Sequence, residues 1–349
     1  MKRLNRLIKQ ITGAILLAGM ALCLAPFQGC RSENIEQEDF IVIGLLLPTL
    51  QEERWHRDSN AIINRAGEYG AAVKYLYAES NPDLQNMQME NLIAQEVDLI
   101  IVVACDNHKI APMVDKAHEA GIKIIAYDRL IHNADIDMYI SFQNETVGKI
   151  ITEAILKRVP KGKIALIGGS PSDNNAVVLR DTALSILRPK IESGDIELVL
   201  DKYTMNWEPA IAYNNMKEYL TETNGDIDGV ICANDGTASG VVRALEEFGL
   251  AGSVPVSGQD AELMACRRIL QGSQVATVYK PIDDLARVAV DLAIVMAKGN
   301  IAPPKESFIQ NGKKLVPTRY VPVIEVTREN LMDTVIKDGF HTYKEIFNY

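Results

Sequence analysis

From Phe40 onward the chain alternates short β-branched runs with amphipathic stretches, a pattern few folds accept. "FIVIGLLL", "AVKYLYAE", "LIIVVACD" and "IKIIAYD" are separated by helix-like segments such as "NMQMENLIAQE" and "APMVDKAHEA". Strands that are apolar along their whole length need cover on both faces, which a parallel sheet with crossover helices provides. A second series repeats the scheme with "KIALIGGS", "IELVLDKY", "GVICAND", "VPVSGQD" and "QVATVYK". Two such series predict an α/β fold of two similar lobes, each on its own parallel sheet.

The remainder is neither a terminus nor a third domain. After Lys280, "PIDDLARVAVDLAIVMAKG" has the pattern of one long amphipathic helix, and "KKLVPTRYVPVIEVTREN" that of extended, proline-broken chain. Such a tail is expected to return to the first lobe and cross once more. Crossings are placed near Phe142, Pro281 and Pro317, giving a three-segment hinge. The N-terminal lobe is then 40–142 plus 281–317, and the C-terminal lobe 143–280 plus 318–349.

Residues 1–29 must be set aside before any fold reasoning. Lys2, Arg3, Arg6 and Lys9 precede the apolar run "ITGAILLAGMALCLA", which is too short to span a bilayer and has the form of a secretory signal. "PFQGC" then places Gly29 before Cys30, and residues 30–39 form a short polar tether. This junction resembles a bacterial lipoprotein signal, in which Cys30 would be acylated. Phe27 and Gln28 depart from the residues usual there. The expected location is the periplasm or cell surface, with the chain anchored through Cys30.

Without its four basic signal residues the chain has 32 Lys and Arg against 46 Asp and Glu, a balance of about −14. An acidic body with no basic run argues against a nucleic-acid partner. Cys105, Cys232 and Cys266 are an odd set with no C-x-x-C spacing, so isolated thiols are expected rather than a metal site. No cofactor is expected.

Ligands of open parallel sheets bind beyond the carboxyl ends of the strands. The first strand is followed by "EERWHRD", with Arg54 and Trp55, and the fourth by Asp128 and Arg129. In the second series "GGSPSDNN" supplies Asp173 and Asn175, and "YTMNW" supplies Trp207. "CAND" gives Asn234, "GQD" gives Asp260 and "VYK" gives Lys280. One ion pair at a strand end would be unremarkable; polar, planar or cationic groups at nearly every strand end imply a shared cleft.

Three cations (Arg54, Arg129, Lys280) face three carboxylates (Asp128, Asp173, Asp260). A phosphorylated or carboxylate ligand would call for a cationic excess. A neutral polyhydroxyl ligand calls for both signs, since each hydroxyl donates and accepts. The two indoles could lie against the C–H faces of a sugar ring, so the set points to a monosaccharide. Asn234 and Asp173 also fit as helix caps, and Trp55 as cover for a core edge. His56, His108, His118, His132 and His341 are scattered and expected to be solvated.

The motifs "ERWHRD", "AYDRLIHNADIDMYISFQNETVG", "GGSPSDNNA", "ANDGTASG", "SGQDAE", "TVYKPI" and "DTVIKDGFH" run in this order through essentially the whole mature chain. In them the chain resembles the periplasmic sugar-binding proteins of the ribose/galactose type, and among these the D-xylose-binding components of ABC importers. The resemblance implies two Rossmann-like lobes on a three-stranded hinge, closing over one sugar, with an ABC permease as membrane partner. Carried over residue by residue, it implies that Arg54, Trp55, Asp128, Arg129, Asp173, Asn175, Trp207, Asn234, Asp260 and Lys280 contact xylose. "YTMN" before Trp207 departs from the family pattern and leaves room for a related pentose.

A glycosidase would use Asp173 and Asp260 as paired carboxylates. The neighbouring cations and amides would keep both ionised, leaving no proton donor. G-x-S-x-G, H-E-x-x-H and a G-x-G-x-x-G after the first strand are all missing. No enzyme is expected. A sensor that presents the bound sugar to a receptor or histidine kinase remains an alternative to import.

Overall fold

The computed structural model describes residues 40–299 and 307–348. The signal, the tether and Cys30 lie outside the described residues. The first series forms β1 (Val42–Leu47), α1 (Glu53–Glu68), β2 (Ala72–Tyr77), α2 (Pro82–Ala94), β3 (Leu99–Val102), α3 (Ala111–Glu119), β4 (Lys123–Tyr127) and β5 (Met138–Phe142). The second forms α4 (Asn144–Leu156), β6 (Gly162–Ile167), α5 (Asn174–Glu192), β7 (Ile196–Lys202), α6 (Pro209–Thr223), β8 (Gly229–Cys232), α7 (Asp235–Glu247), β9 (Val256–Ser257), α8 (Leu263–Gln271) and β10 (Thr277–Tyr279). The tail adds α9 (Ile282–Ala297), β11 (Ser307–Gln310), β12 (Leu315–Val321), β13 (Ile324–Val326) and α10 (Tyr343–Phe347).

The first sheet has the order β11-β12-β5-β4-β3-β1-β2 and is parallel except where β11 meets β12. Successive side chains leave a strand on opposite faces, so each strand feeds two cores. Leu45, Ile101, Ile125 and Ile140 pack with Ile62 and Ala66 of α1 and Leu285, Ala289 and Val290 of α9. Leu46, Ile100, Val102 and Ile124 pack on the other side with Met89 and Leu92 of α2 and Val114 of α3. Each fully buried aliphatic side chain contributes roughly 1.5–3 kcal/mol, which explains why these strands read as unbroken apolar runs.

The second sheet, β7-β6-β8-β9, is wholly parallel and is covered in the same way. Val147 and Ile151 of α4 and Leu179 of α5 lie on one face. Met216 of α6 and Val241 and Leu245 of α7 lie on the other. A bridge from Ser257 to Ala276 brings β10 alongside β9, and β10 pairs antiparallel with β13.

The chain passes from the first sheet into α4 after Phe142, and from β10 back to the first core through α9. The expected crossing at Pro317 falls elsewhere. Pro317 lies inside β12, opposite Phe308 of β11, and pairing with β5 begins one residue later at Thr318. A proline ends a strand only where its missing N–H faces a partner. The chain therefore leaves the first sheet after Val321 and pairs through β13 with β10.

Among the histidines the expectation of solvation fails for His341, which is 2% exposed. His56 and His108 are exposed. His118 and His132 are half-buried and pair with Asp137 and Asn174. Cys232 and Cys266 are buried and Cys105 is half-buried, all as free thiols.

Candidate functional site

The strand ends of the two sheets meet around one small cavity. All ten residues singled out from the sequence line it: Arg54, Trp55, Asp128, Arg129, Asp173, Asn175, Trp207, Asn234, Asp260 and Lys280. Glu52 and Gln259 line it as well and were missed. Both had a signal, since each stands in a motif already quoted, beside a more conspicuous neighbour. Among the described residues no group of His, Cys, Asp and Glu is arranged to hold a metal.

Several of these side chains reach the cavity only because the backbone bends sharply. Asp128 follows β4 with φ +62°, and Asp260 follows β9 with φ +97°. Residues held in that region cost of order 1–3 kcal/mol each, so the surroundings must fix them. The Asp128 amide donates to Ile140 O at 2.7 Å, and its carbonyl accepts from the Tyr139 and Ser141 hydroxyls at 3.0 and 2.7 Å. The Asp260 amide donates to Val278 O at 2.8 Å. Asn206 and Trp207 are also left-handed, and the outer edge of the Trp207 indole lies against Gly169. A Cβ at Gly169 would sit 2.2 Å from the Trp207 Cη2.

The charges interlock across the cavity. Arg54 Nη2 donates to Asp128 Oδ1 at 3.0 Å, with Asp58 at 3.4 Å and Asp260 at 3.8 Å from its other nitrogens. Lys280 Nζ lies 3.1 Å from Asp260 Oδ1, and Arg129 Nε 2.7 Å from Asp173 Oδ2. Asn175 Nδ2 donates to Asp128 Oδ2 at 3.2 Å and accepts on Oδ1 from Asn144. Behind Arg54, the Tyr127 hydroxyl donates to Asp58 at 2.5 Å.

Burial alone would raise the Asp128 carboxyl, but Arg54, Lys280 and Arg129 outweigh it and hold it below its ordinary range. For Asp173 burial wins over the pull of Arg129, and its carboxyl titrates above the ordinary value. Burial pushes Glu52 up to about 7 against Arg129 and Arg54, and Asp58 to about 6.

The alternatives of cap and cleft residue prove compatible. Asp173 caps α5 by accepting from the Asn175 amide, and its other oxygen accepts from Trp207 Nε1 at 3.2 Å. Asn234 caps α7 through Oδ1 in a reciprocal pair with Thr237. Trp55 belongs to the first core, is 1% exposed, and still lines the cavity. Its Nε1 donates to Glu52 at 2.9 Å, while the Arg54 and Arg129 guanidinium groups stack 4.2 and 5.3 Å from its ring.

Three buried polar atoms at the cavity have no aligned hydrogen-bond partner: Arg129 Nε, Gln259 Oε1 and Asp260 Oδ1. The short contacts of Arg129 Nε and Asp260 Oδ1 are therefore ionic, with geometry unsuited to a hydrogen bond. Of the three, Gln259 Oε1 has neither a hydrogen bond nor an ion pair, and a buried group left so costs about 1–3 kcal/mol. One acceptor without a partner, and an ion-paired donor and acceptor that lack an aligned hydrogen bond, in a cavity lined by both cations and carboxylates, suit a small neutral ligand bearing several hydroxyls.

Comparison with known proteins follows the same line. The family described as a periplasmic binding protein domain matches residues 43–301. The chain is 41% identical over 306 residues to the D-xylose-binding periplasmic protein of Escherichia coli K12, covering 88% of this chain and 92% of that one. It is 40% identical, with the same coverage, to the D-xylose-binding periplasmic protein of Haemophilus influenzae. Among solved structures, a carbohydrate transporter solute-binding protein from Chloroflexus aurantiacus in complex with D-glucose superposes with a TM-score of 0.82. That protein is 28% identical, and the match covers 88% of this chain and 98% of it.

Proposed function

The chain belongs to the periplasmic binding protein family, and from that premise we propose that it captures one D-xylose molecule in its cleft and delivers it to a membrane ABC permease. It is a binding protein rather than an enzyme. The observation that carries the ligand reading is the set of buried polar atoms with no aligned hydrogen bond, Arg129 Nε, Gln259 Oε1 and Asp260 Oδ1, within a cavity lined by both cations and carboxylates. Sugar hydroxyls accept from Arg54, Arg129, Lys280, Asn175 and Asn234 and donate to Asp128, Asp173 and Asp260. Trp55 and Trp207 close over the apolar faces of the ring. The 41% identity to a xylose-binding relative supports the choice of pentose.

Xylose has about ten heavy atoms, so a ceiling near 1.5 kcal/mol per atom leaves room for micromolar or tighter binding. Calorimetry of the mature protein against a panel of neutral monosaccharides tests the reading. One-to-one, reversible binding of D-xylose is expected, with D-glucose weaker because its hydroxymethyl group must enter a cleft closed around a pentose. Equal affinity for glucose, or sugar turnover on long incubation, refutes it.

The same proposal extends to the N-terminus: Cys30 carries an acyl anchor, and residues 30–39 tether the lobes to the membrane. Its support is the Gly29-Cys30 junction behind an apolar signal. Intact mass of the native N-terminus decides the matter. A mature chain beginning at another residue, without acyl mass, rejects the anchor.

A further inference from the structure

We propose that His341, near the far end of the chain, is a positioning residue for Asp260, and that it acts by tying the Asp260–Ala261 turn to Arg57 on α1. The inference rests on the sugar-cleft reading above and adds to it a residue that does not touch the cavity. His341 Nε2 lies 2.7 Å from Ala261 O, and its Nδ1 lies 3.4 Å from Arg57 Nη2. A carbonyl oxygen only accepts, so Nε2 carries the proton, and the Nδ1 lone pair is left to accept from Arg57. The ring is thus a neutral two-ended bridge, fixed in its tautomer by its partners.

The bridge sits where the backbone needs an outside restraint. Asp260 and Ala261 are consecutive non-glycine residues with φ +97° and +51°, a strained pair that persists only if its surroundings hold it. The Ala261 amide donates to the Thr277 hydroxyl at 3.1 Å, and the Ala261 carbonyl is taken by His341. The same terminal segment grips the other partner in the Asp260–Lys280 ion pair. The Tyr279 ring, one residue before Lys280, packs 4.9 Å from the Phe340 ring, and its hydroxyl donates to Asp338.

Arg57 completes the arrangement from the first lobe: Nη1 donates to Phe340 O at 2.9 Å and the guanidinium stacks 4.2 Å from the Phe340 ring. One turn earlier on the same helix, Arg54 points into the cavity. The segment from Asp338 to His341 thereby sets Asp260 and Lys280 against the helix that supplies Arg54. Burial first, with Arg57 adding to it, outweighs the upward pull of the Ala261 carbonyl bond, Glu53 and Glu345, and keeps the imidazole below its ordinary pKa and hence neutral.

The test compares His341→Phe, which keeps a ring beside Phe340 but loses both hydrogen bonds, with His341→Gln, whose amide can donate to Ala261 O and accept from Arg57. Two readouts are taken: D-xylose affinity by calorimetry, and amide exchange of residues 259–262 in the sugar-free protein. The phenylalanine variant should bind xylose roughly three- to ten-fold more weakly and exchange faster in that turn, with glutamine restoring most of both. Faster exchange in the variant alongside a wild-type protein that binds no sugar would support the positioning and reject the sugar reading. A folded phenylalanine variant with unchanged exchange and unchanged affinity overturns the proposal.

Discussion

Asp128→Asn isolates the part of the site that the charge pattern makes central. Asp128 Oδ1 accepts from Arg54 at 3.0 Å and Oδ2 from Asn175 at 3.2 Å, in a residue only 2% exposed. Asparagine tolerates the left-handed backbone at φ +62°, so the substitution changes charge and hydrogen bonding without adding strain. Its amide oxygen can still meet Arg54, but its NH2 then faces the Asn175 NH2, donor against donor. Arg54 keeps Asp58 at 3.4 Å and Asp260 at 3.8 Å, so the cation is not abandoned in the core. What the sugar loses is one charge-assisted acceptor, roughly 1.5–3 kcal/mol or about ten- to a hundred-fold in Kd. Calorimetric titration with D-xylose, paired with a thermal melt, measures the two consequences separately. A variant that melts like the wild type and binds xylose within about twofold of it would refute the assignment of Asp128 to the ligand.

Other perturbations follow from the same geometry. Gly169→Ala should push the Trp207 indole off its seat, because the new Cβ would stand 2.2 Å from Cη2; an overpacking cost of about 1–3 kcal/mol should appear in Tm and in xylose affinity together. Trp207→Phe should weaken binding modestly, since a ring remains but the Nε1 bond to Asp173 is lost, and Trp207→Ala should weaken it further; identical titration curves would contradict this. Glu52 titrates at about 7 in the folded protein against an ordinary 4.5, so its protonated form favours the fold. Its contribution to stability should be full below about pH 4.5 and fade as pH rises through about 7, with Trp55 emission following the same midpoint; Glu52→Gln should flatten the emission change and reduce the stability change, leaving the share of Asp58, which is raised to about 6.

The strand ends were legible in the sequence because each motif joins an apolar run to a polar residue at its carboxyl end, and a parallel sheet aligns those ends. All ten residues found that way line one cavity. Periodicity reports which residues share a face of one element, and it is silent about which distant segment will cover that face. His341 was therefore misread as solvated: it is buried, with its ring between Ala261 O and Arg57, two partners that only the tertiary fold brings to it. Pro317 was misread for a related reason, since a proline's effect on a strand depends on the side its partner occupies, and that side belongs to the sheet order. Glu52 stood in the quoted "EERWHRD" motif but was hidden by Arg54 and Trp55; its place is set by Trp55 Nε1 and by the Arg129 guanidinium across the cavity.

The most direct test of the central claim is the crystal structure of the mature protein grown with D-xylose. One pyranose should occupy the cavity between Trp55 and Trp207, with hydroxyls within hydrogen-bond distance of Arg129 Nε, Gln259 Oε1 and Asp260 Oδ1. Sugar bound at any other place on the protein, with those three atoms still lacking an aligned hydrogen bond, would contradict the account.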